Sequence, residues 1–210
     1  MFRPSAVSFR LIFFDCDSTL TTIEGIAAAD AGKDMAPLDL KLPIPAFMGT
    51  PTDIPMDDSI EKPSDKPRPP FLAFKGAKLI SEKKPVTLSD KNPINGSAEL
   101  VTDGNKEAGD ANVLEMHRKL QWVQIDLQSK CKIFAIVVWH YHAQPRVYHD
   151  VVVRTSTDPT FATNVRTVYN NDYDNSSGFG IGQAKEYIDS HEGLLIETHG
   201  VVARYVRLYG

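Results

Sequence analysis

Three stretches of this 210-residue chain concentrate side chains able to bind or to react. Residues 102–112 (TDGNKEAGDAN) gather carboxylates, amides and an Asp-Gly turn. Ca²⁺ takes six to eight oxygens of that kind; a turn that uses Asp-Gly only for its backbone geometry is the alternative. Residues 139–150 (WHYHAQPRVYHD) bring together His140, His142, Arg146, Tyr148 and His149. Two apart on a strand, His140 and His142 share a face and can pinch a metal such as Zn²⁺, with His149 across a turn as a third ligand. The rings and the guanidinium equally suit a sugar, whose C–H face stacks on aromatics while its hydroxyls need directed hydrogen bonds. A solvent-facing strand end with no ligand is the plainer alternative. In residues 170–175 (NNDYDN), Asp172 and Asp174 offer carboxylates to a cation or simply build a surface turn.

The elements that must position these groups read as strands. In residues 121–127 (QWVQIDL), Val123, Ile125 and Leu127 alternate with Trp122, Gln124 and Asp126, the pattern of a half-buried strand. Residues 132–140 (KIFAIVVWH) form a near-continuous apolar run rich in β-branched residues, as a central strand requires. Residues 147–156 and 204–209 add two more, with Asn-, Asp-, Gly- and Ser-rich turns such as 170–180 between them. Short strands separated by turn signals, without a convincing long helix, predict an all-β sandwich or barrel.

Upstream the composition changes. Nine of the fourteen prolines lie between Pro37 and Pro70, in a stretch with neither helical nor strand periodicity. Proline removes amide donors and holds its predecessor extended, so this is a semi-rigid linker, free or draped on a domain. The organisation predicted is a short N-terminal segment (1–29), a Pro-rich linker (30–74) and a β-domain (75–210). Two cysteines far apart in sequence, Cys16 and Cys131, with no metal-type spacing, predict free thiols. A formal charge of −4 leaves no basic footprint for nucleic acid. No run approaches the roughly 18 apolar residues that span a bilayer. Asn95 and Asn175 head N-x-S/T sequons.

The series LVTDGN (100–105), QWVQIDL (121–127), KIFAIVVW (132–139), DVVVRTSTDPTF (150–161) and ARYVRLYG (203–210) resembles the discoidin family, also called coagulation-factor type C or galactose-binding-like domains, over roughly 130 residues. PVTLSD (85–90) matches the opening strand region. The resemblance implies a jelly-roll β-sandwich whose loops meet a glycan, a lipid head group or a protein surface, in a non-catalytic appendage of a secreted or cell-surface protein. It also implies a structural Ca²⁺ beside the Asp-Gly-Asn turn, held by Asp103 and Asn105, with Asp110 as a further candidate. The family pattern continues with a final strand where this chain stops at Gly210. The expectation is therefore a fragment of a larger protein with an unpaired inner edge.

Residues 9–26 (FRLIFFDCDSTLTTIEGI) resemble instead the first motif of haloacid-dehalogenase-type phosphoserine phosphatases. That resemblance makes Asp15 a nucleophile, Asp17 a general acid/base beside Mg²⁺, Thr19 a loop-shaping residue and Glu24 a substrate contact. Such a site needs a parallel sheet, a later Ser or Thr, a Lys and a downstream acidic pair, and no credible later motif follows. Arg3 and Arg10 before a short apolar run also read as a degraded export signal.

The leading expectation is a non-enzymatic module outside the cytoplasm. It binds a carbohydrate or cell-surface ligand through His140, His142, Arg146 and Tyr148, with structural Ca²⁺. A phosphatase relative lacking most of its site, or an assembly domain with no small ligand, are the alternatives.

Overall fold

The computed structural model describes residues 6–14, 35–74 and 77–210. Its strands are β1 (Ala6–Phe14), β2 (Met35–Pro37), β3 (Ile60–Glu61), β4 (Leu72–Phe74), β5 (Lys78–Leu79), β6 (Val86–Leu88) and β7 (Leu114–Glu115), then β8 (Trp122–His140), β9 (Val147–Tyr148), β10 (Val152–Ser156), β11 (Arg166–Asn170), β12 (Glu186–Ile188) and β13 (Leu194–Tyr209). The only helical elements among the described residues are short 3₁₀ turns at Ala98–Val101 and Asp110–Asn112. The chain is an all-β sandwich, as the alternation of its sequence predicts.

The two sequence signals at 121–127 and 132–140 belong to one long strand, β8, which bends between them. Gln128 takes a left-handed φ of 69°, and the Asp126 carboxylate accepts the Gln128 amide at 2.7 Å. Arg204 closes the bend from β13 with two hydrogen bonds to Asp126, at 2.8 and 2.9 Å. The first half of β8 pairs with β6 and the second with β1, while β13 runs antiparallel along both. The main sheet has the order β11-β10-β13-β8-β1-β5. Because β13 is paired on both sides, to β10 and β8, the unpaired inner edge expected from the family pattern is not found beside it.

Val123, Ile125 and Leu127 point into the main core with Ile133, Ile136 and Val138 from the far half of β8. Val153 of β10 and Val206 and Leu208 of β13 complete it. Burying such side chains contributes about 1.5–3 kcal/mol each, before the entropy of ordering them is subtracted. The opposite face of β8 carries Ala135, Val137 and Trp139, and it is covered too: Leu38, Leu40 and Phe71 of the Pro-rich segment pack there with Leu79 and Leu195. That explains why 132–140 reads as a continuous apolar run rather than an alternation.

The Pro-rich segment is thus draped on the sandwich, and its polar groups fasten it. The Arg68 guanidinium donates to the Gly193 and Glu192 carbonyls at 2.9 and 2.7 Å, and the Arg68 amide donates to the Glu192 carboxylate at 2.8 Å. Farther along, β3 pairs in parallel with β12.

Two findings bear on the N-terminus. Strand β1 is antiparallel to β5, β7 and β8, whereas a phosphatase of the kind suggested by its sequence requires a parallel sheet. Asp15, Asp17, Thr19 and Glu24 lie outside the described residues. Secondly, Cys131 is disulfide-bonded, which corrects the expectation of free thiols. The reason is topological: β1 ends with Phe14 opposite Lys132, so distant sequence arrives one residue from Cys131. Among the described residues, no helix is long and apolar enough to cross a membrane.

Candidate functional site

Period-two alternation carries on to the end of β8 and sorts the residues of 139–150 by face. His140 follows Ile136 and Val138 inward, and His142 follows His140; Tyr141 follows Trp139 to the other side. His140 and His142 are only 3% and 2% exposed, and Tyr148 1%. These three therefore present no surface to a sugar, which corrects the expectation for them.

What they build is a buried aromatic cluster. The His140 ring lies 4.3 Å from Tyr148 centroid to centroid, and Tyr148 stacks at 5.7 Å on Tyr187. His140 Nδ1 sits 3.1 Å from the Tyr187 hydroxyl, and the His140 amide donates to the Asp189 carboxylate. Burial, then the nearby Asp189 carboxylate, pushes the Tyr148 and Tyr187 hydroxyls well above the ordinary tyrosine pKa. The Tyr148 hydroxyl donates to the Tyr141 carbonyl, and His142 Nδ1 bonds the His140 carbonyl at 2.8 Å. His149 pairs with Asp150, Nδ1 to Oδ2 at 3.0 Å, rather than joining the other two histidines on a metal. The cluster fixes the strand end from below.

On the outside of that strand end stands Tyr141, half-buried, with two partners from separate parts of the chain. The Arg146 guanidinium, exposed on the turn before β9, lies 4.4 Å from the Tyr141 ring centroid. The Asp110 carboxylate, exposed on the 3₁₀ turn, stands near enough to the Tyr141 hydroxyl to act on it electrostatically. Burial first, and then that carboxylate, raise the hydroxyl pKa against the pull of Arg146, so the phenol stays protonated. Arg146, expected as a ligand contact, and Asp110, expected as a metal ligand, thus meet on a residue the sequence reading did not single out. The alternation itself held the signal, since the residue between two inward histidines must face out.

The remaining expected metal ligands stay in their loop. Asp103 Oδ1 accepts the Asn105 amide at 2.7 Å, and Asn105 Oδ1 accepts the Glu107 amide at 2.9 Å. Asn105 Nδ2 donates to Asn112 Oδ1 at 3.0 Å. These bonds tie 102–112 to itself, while Lys106 reaches across to lie 5.8 Å from the Trp139 ring centroid. The surface beside the half-buried Tyr141 thus carries the exposed carboxylates of Asp103, Glu107 and Asp110.

No family model matches the chain, and no curated protein does. Among solved structures it is similar to a fucose-binding module of Streptococcus pneumoniae, at 17% identity and a TM-score of 0.45. It is also similar to chitosan-binding module 1 of a chitosanase/glucanase from Paenibacillus sp. IK-5, at 20% identity and a TM-score of 0.37. Each match covers 62% of this chain and 84% of the other. At this level neither fixes the family or the ligand of this chain, and the resemblance of residues 9–26 to a phosphatase finds no support in them.

Proposed function

We propose that the chain is a non-catalytic carbohydrate-binding module whose ligand meets the surface formed by Arg146, Tyr141 and Asp110. The observation that carries this reading is the arrangement at Tyr141: an exposed guanidinium over an aromatic ring whose hydroxyl has an exposed carboxylate beside it. Arg146 and Asp110 supply directed donors and acceptors for sugar hydroxyls, and the ring edge supplies an apolar contact for C–H groups. The buried aromatic cluster beneath keeps these groups in place before the ligand arrives, which lowers the ordering cost of binding.

A Ca²⁺ held by Asp103 and Asn105 would brace the neighbouring loop, with Asp110 turned to Tyr141 rather than to the ion. Export fits the same reading, because a disulfide at Cys131 persists in an oxidising compartment.

The experiment is a glycan array probed with the whole chain, followed by calorimetry on the glycans it retains. Selective retention that Arg146→Ala removes supports the proposal. A well-folded chain that retains no glycan argues for an assembly domain instead.

A further inference from the structure

The register of β10 and β11 brings a second set of oxygens together. Val152 faces Asn170, and continuing the same register two residues outward sets Asp150 opposite Asp172. Asn171 locks that approach: its Oδ1 accepts the Val151 amide at 2.7 Å, and its Nδ2 donates to the Tyr148 carbonyl at 3.1 Å. The loop then folds back, because Asp172 accepts the amides of Ser176 at 3.0 Å and Ser177 at 2.8 Å. Asp174 is thereby returned to the same place, and one carboxylate oxygen from each of Asp150, Asp172 and Asp174 lies within 4.8 Å of the others.

Three carboxylates alone are common on surfaces and would carry little. Here Asp172 and Asp150 are buried, 0% and 4% exposed. A separate feature points into the same place. Ser177 is only 6% exposed; its amide already holds the Asp172 carboxylate at 2.8 Å, yet its buried Oγ reaches no partner in hydrogen-bonding geometry. A buried hydroxyl left so costs free energy that a bound cation would recover by taking its lone pair.

We propose that Asp150, Asp172, Asp174 and Ser177 form a site for Ca²⁺, which ties loop 171–182 to the turn before β10. The donor chemistry selects a hard cation: every proposed ligand atom is oxygen, and the nearby imidazole of His149 already pairs with Asp150. The spacing fits as well. With Ca²⁺–oxygen distances of about 2.3–2.6 Å, ligands on opposite sides of one ion stand up to about 5 Å apart. Asp174 and the ring of Tyr173, 59% exposed, lie on the outer side, where water completes the coordination. The site is separate from Asp103 and Asn105, and it does not rest on the glycan reading.

The test uses the full chain after dialysis against a chelator, with Ca²⁺ and then Tb³⁺ as probes. Ca²⁺ raises the melting temperature by mass action. Tb³⁺ gives tyrosine-sensitised emission that Ca²⁺ displaces. The variants are built on Asp103→Ala, so that an ion at residues 102–112 does not contribute. Asp103→Ala keeps both responses. Adding Asp174→Asn, at an exposed position, abolishes both, and adding Ser177→Ala weakens both. Absence of either response in a cooperatively melting Asp103→Ala chain overturns the proposal, and so does a response that survives the added Asp174→Asn.

Discussion

The Arg146 guanidinium rests over the ring of Tyr141, 4.4 Å from its centroid, and the Asp110 carboxylate stands near the hydroxyl of that ring. The contact holds the turn before β9 against the end of β8, with Asp110 of the 3₁₀ turn beside it. A cation over an aromatic face contributes about 0.5–1 kcal/mol at an exposed site. That is enough to favour one arrangement of a loop but far too little to stabilise the fold. The pair matters for what it presents to a ligand.

The seam between β8 and the Pro-rich segment depends on a glycine. Gly193 has a φ of +67°, and a Cβ there would stand 2.8 Å from the Trp139 ring. Gly193→Ala therefore combines a left-handed backbone with overpacking against a fully buried indole, and about 1–3 kcal/mol of stability is lost. The urea midpoint of the purified variant measures it; an unchanged midpoint would mean that Trp139 is free to move aside.

Arg68 fastens the same segment by three hydrogen bonds to Glu192 and Gly193. In Arg68→Ala two of them are lost, because only the amide bond survives the substitution. Limited proteolysis then cuts within residues 37–70 faster than in the wild type, while the sandwich core resists. Equal cleavage rates would show that the apolar contacts of Leu38, Leu40 and Phe71 suffice.

Acid sensitivity resides partly in one surface turn. The Asp158 carboxylate accepts the Thr160 hydroxyl and amide at 2.7 and 2.8 Å, then the amides of Ala162 and Thr163. The Thr160 hydroxyl first, then these amides, hold its pKa below the ordinary carboxylate value. Asp90, bonded first by the His117 amide and then by that of Asn92, is lowered to about 2. A depressed folded-state pKa stabilises the native form above the unfolded value of about 3.9, and the contribution is lost as pH falls below it. Melting temperatures between pH 6 and pH 2 should fall less steeply for Asp158→Asn, from a lower starting point at neutral pH. Parallel curves would remove Asp158 from the acid transition.

The disulfide at Cys131 makes a direct chemical prediction. A maleimide reagent added to the denatured, unreduced chain labels no thiol, and both cysteines become reactive after reduction. Reduction also lowers the melting temperature, since a cross-link restricts the unfolded chain. Labelling before reduction would contradict the assignment.

Much of this was legible in the sequence. Strict alternation at 121–127 specifies one buried face, and the apolar run of 132–140 specifies a strand covered on both. What covers the second face was not legible, because prolines in 37–70 suppress any periodicity even where Leu38, Leu40 and Phe71 dock. The same limit hid the proximity of β1 to Cys131, a consequence of long-range pairing rather than local pattern. Residue type misled at His140, His142 and Tyr148: polar rings suggest a surface, but a strand's alternation decides the face, and each ring finds a partner inside, at Tyr187, the His140 carbonyl and the Tyr141 carbonyl. The carboxylate of Asp150 met Asp172 only once the β10–β11 register was known.

The most direct test of the account is the affinity of wild type and Arg146→Ala for the best-retained glycan, measured beside their melting temperatures. Removing charge-assisted hydrogen bonds worth about 1.5–3 kcal/mol predicts an affinity lower by about 10- to 100-fold, with the melting temperature lowered by at most about 4 °C through loss of the cation–ring contact. Equal affinities in two equally stable proteins would contradict the placement of the ligand at Arg146 and Tyr141.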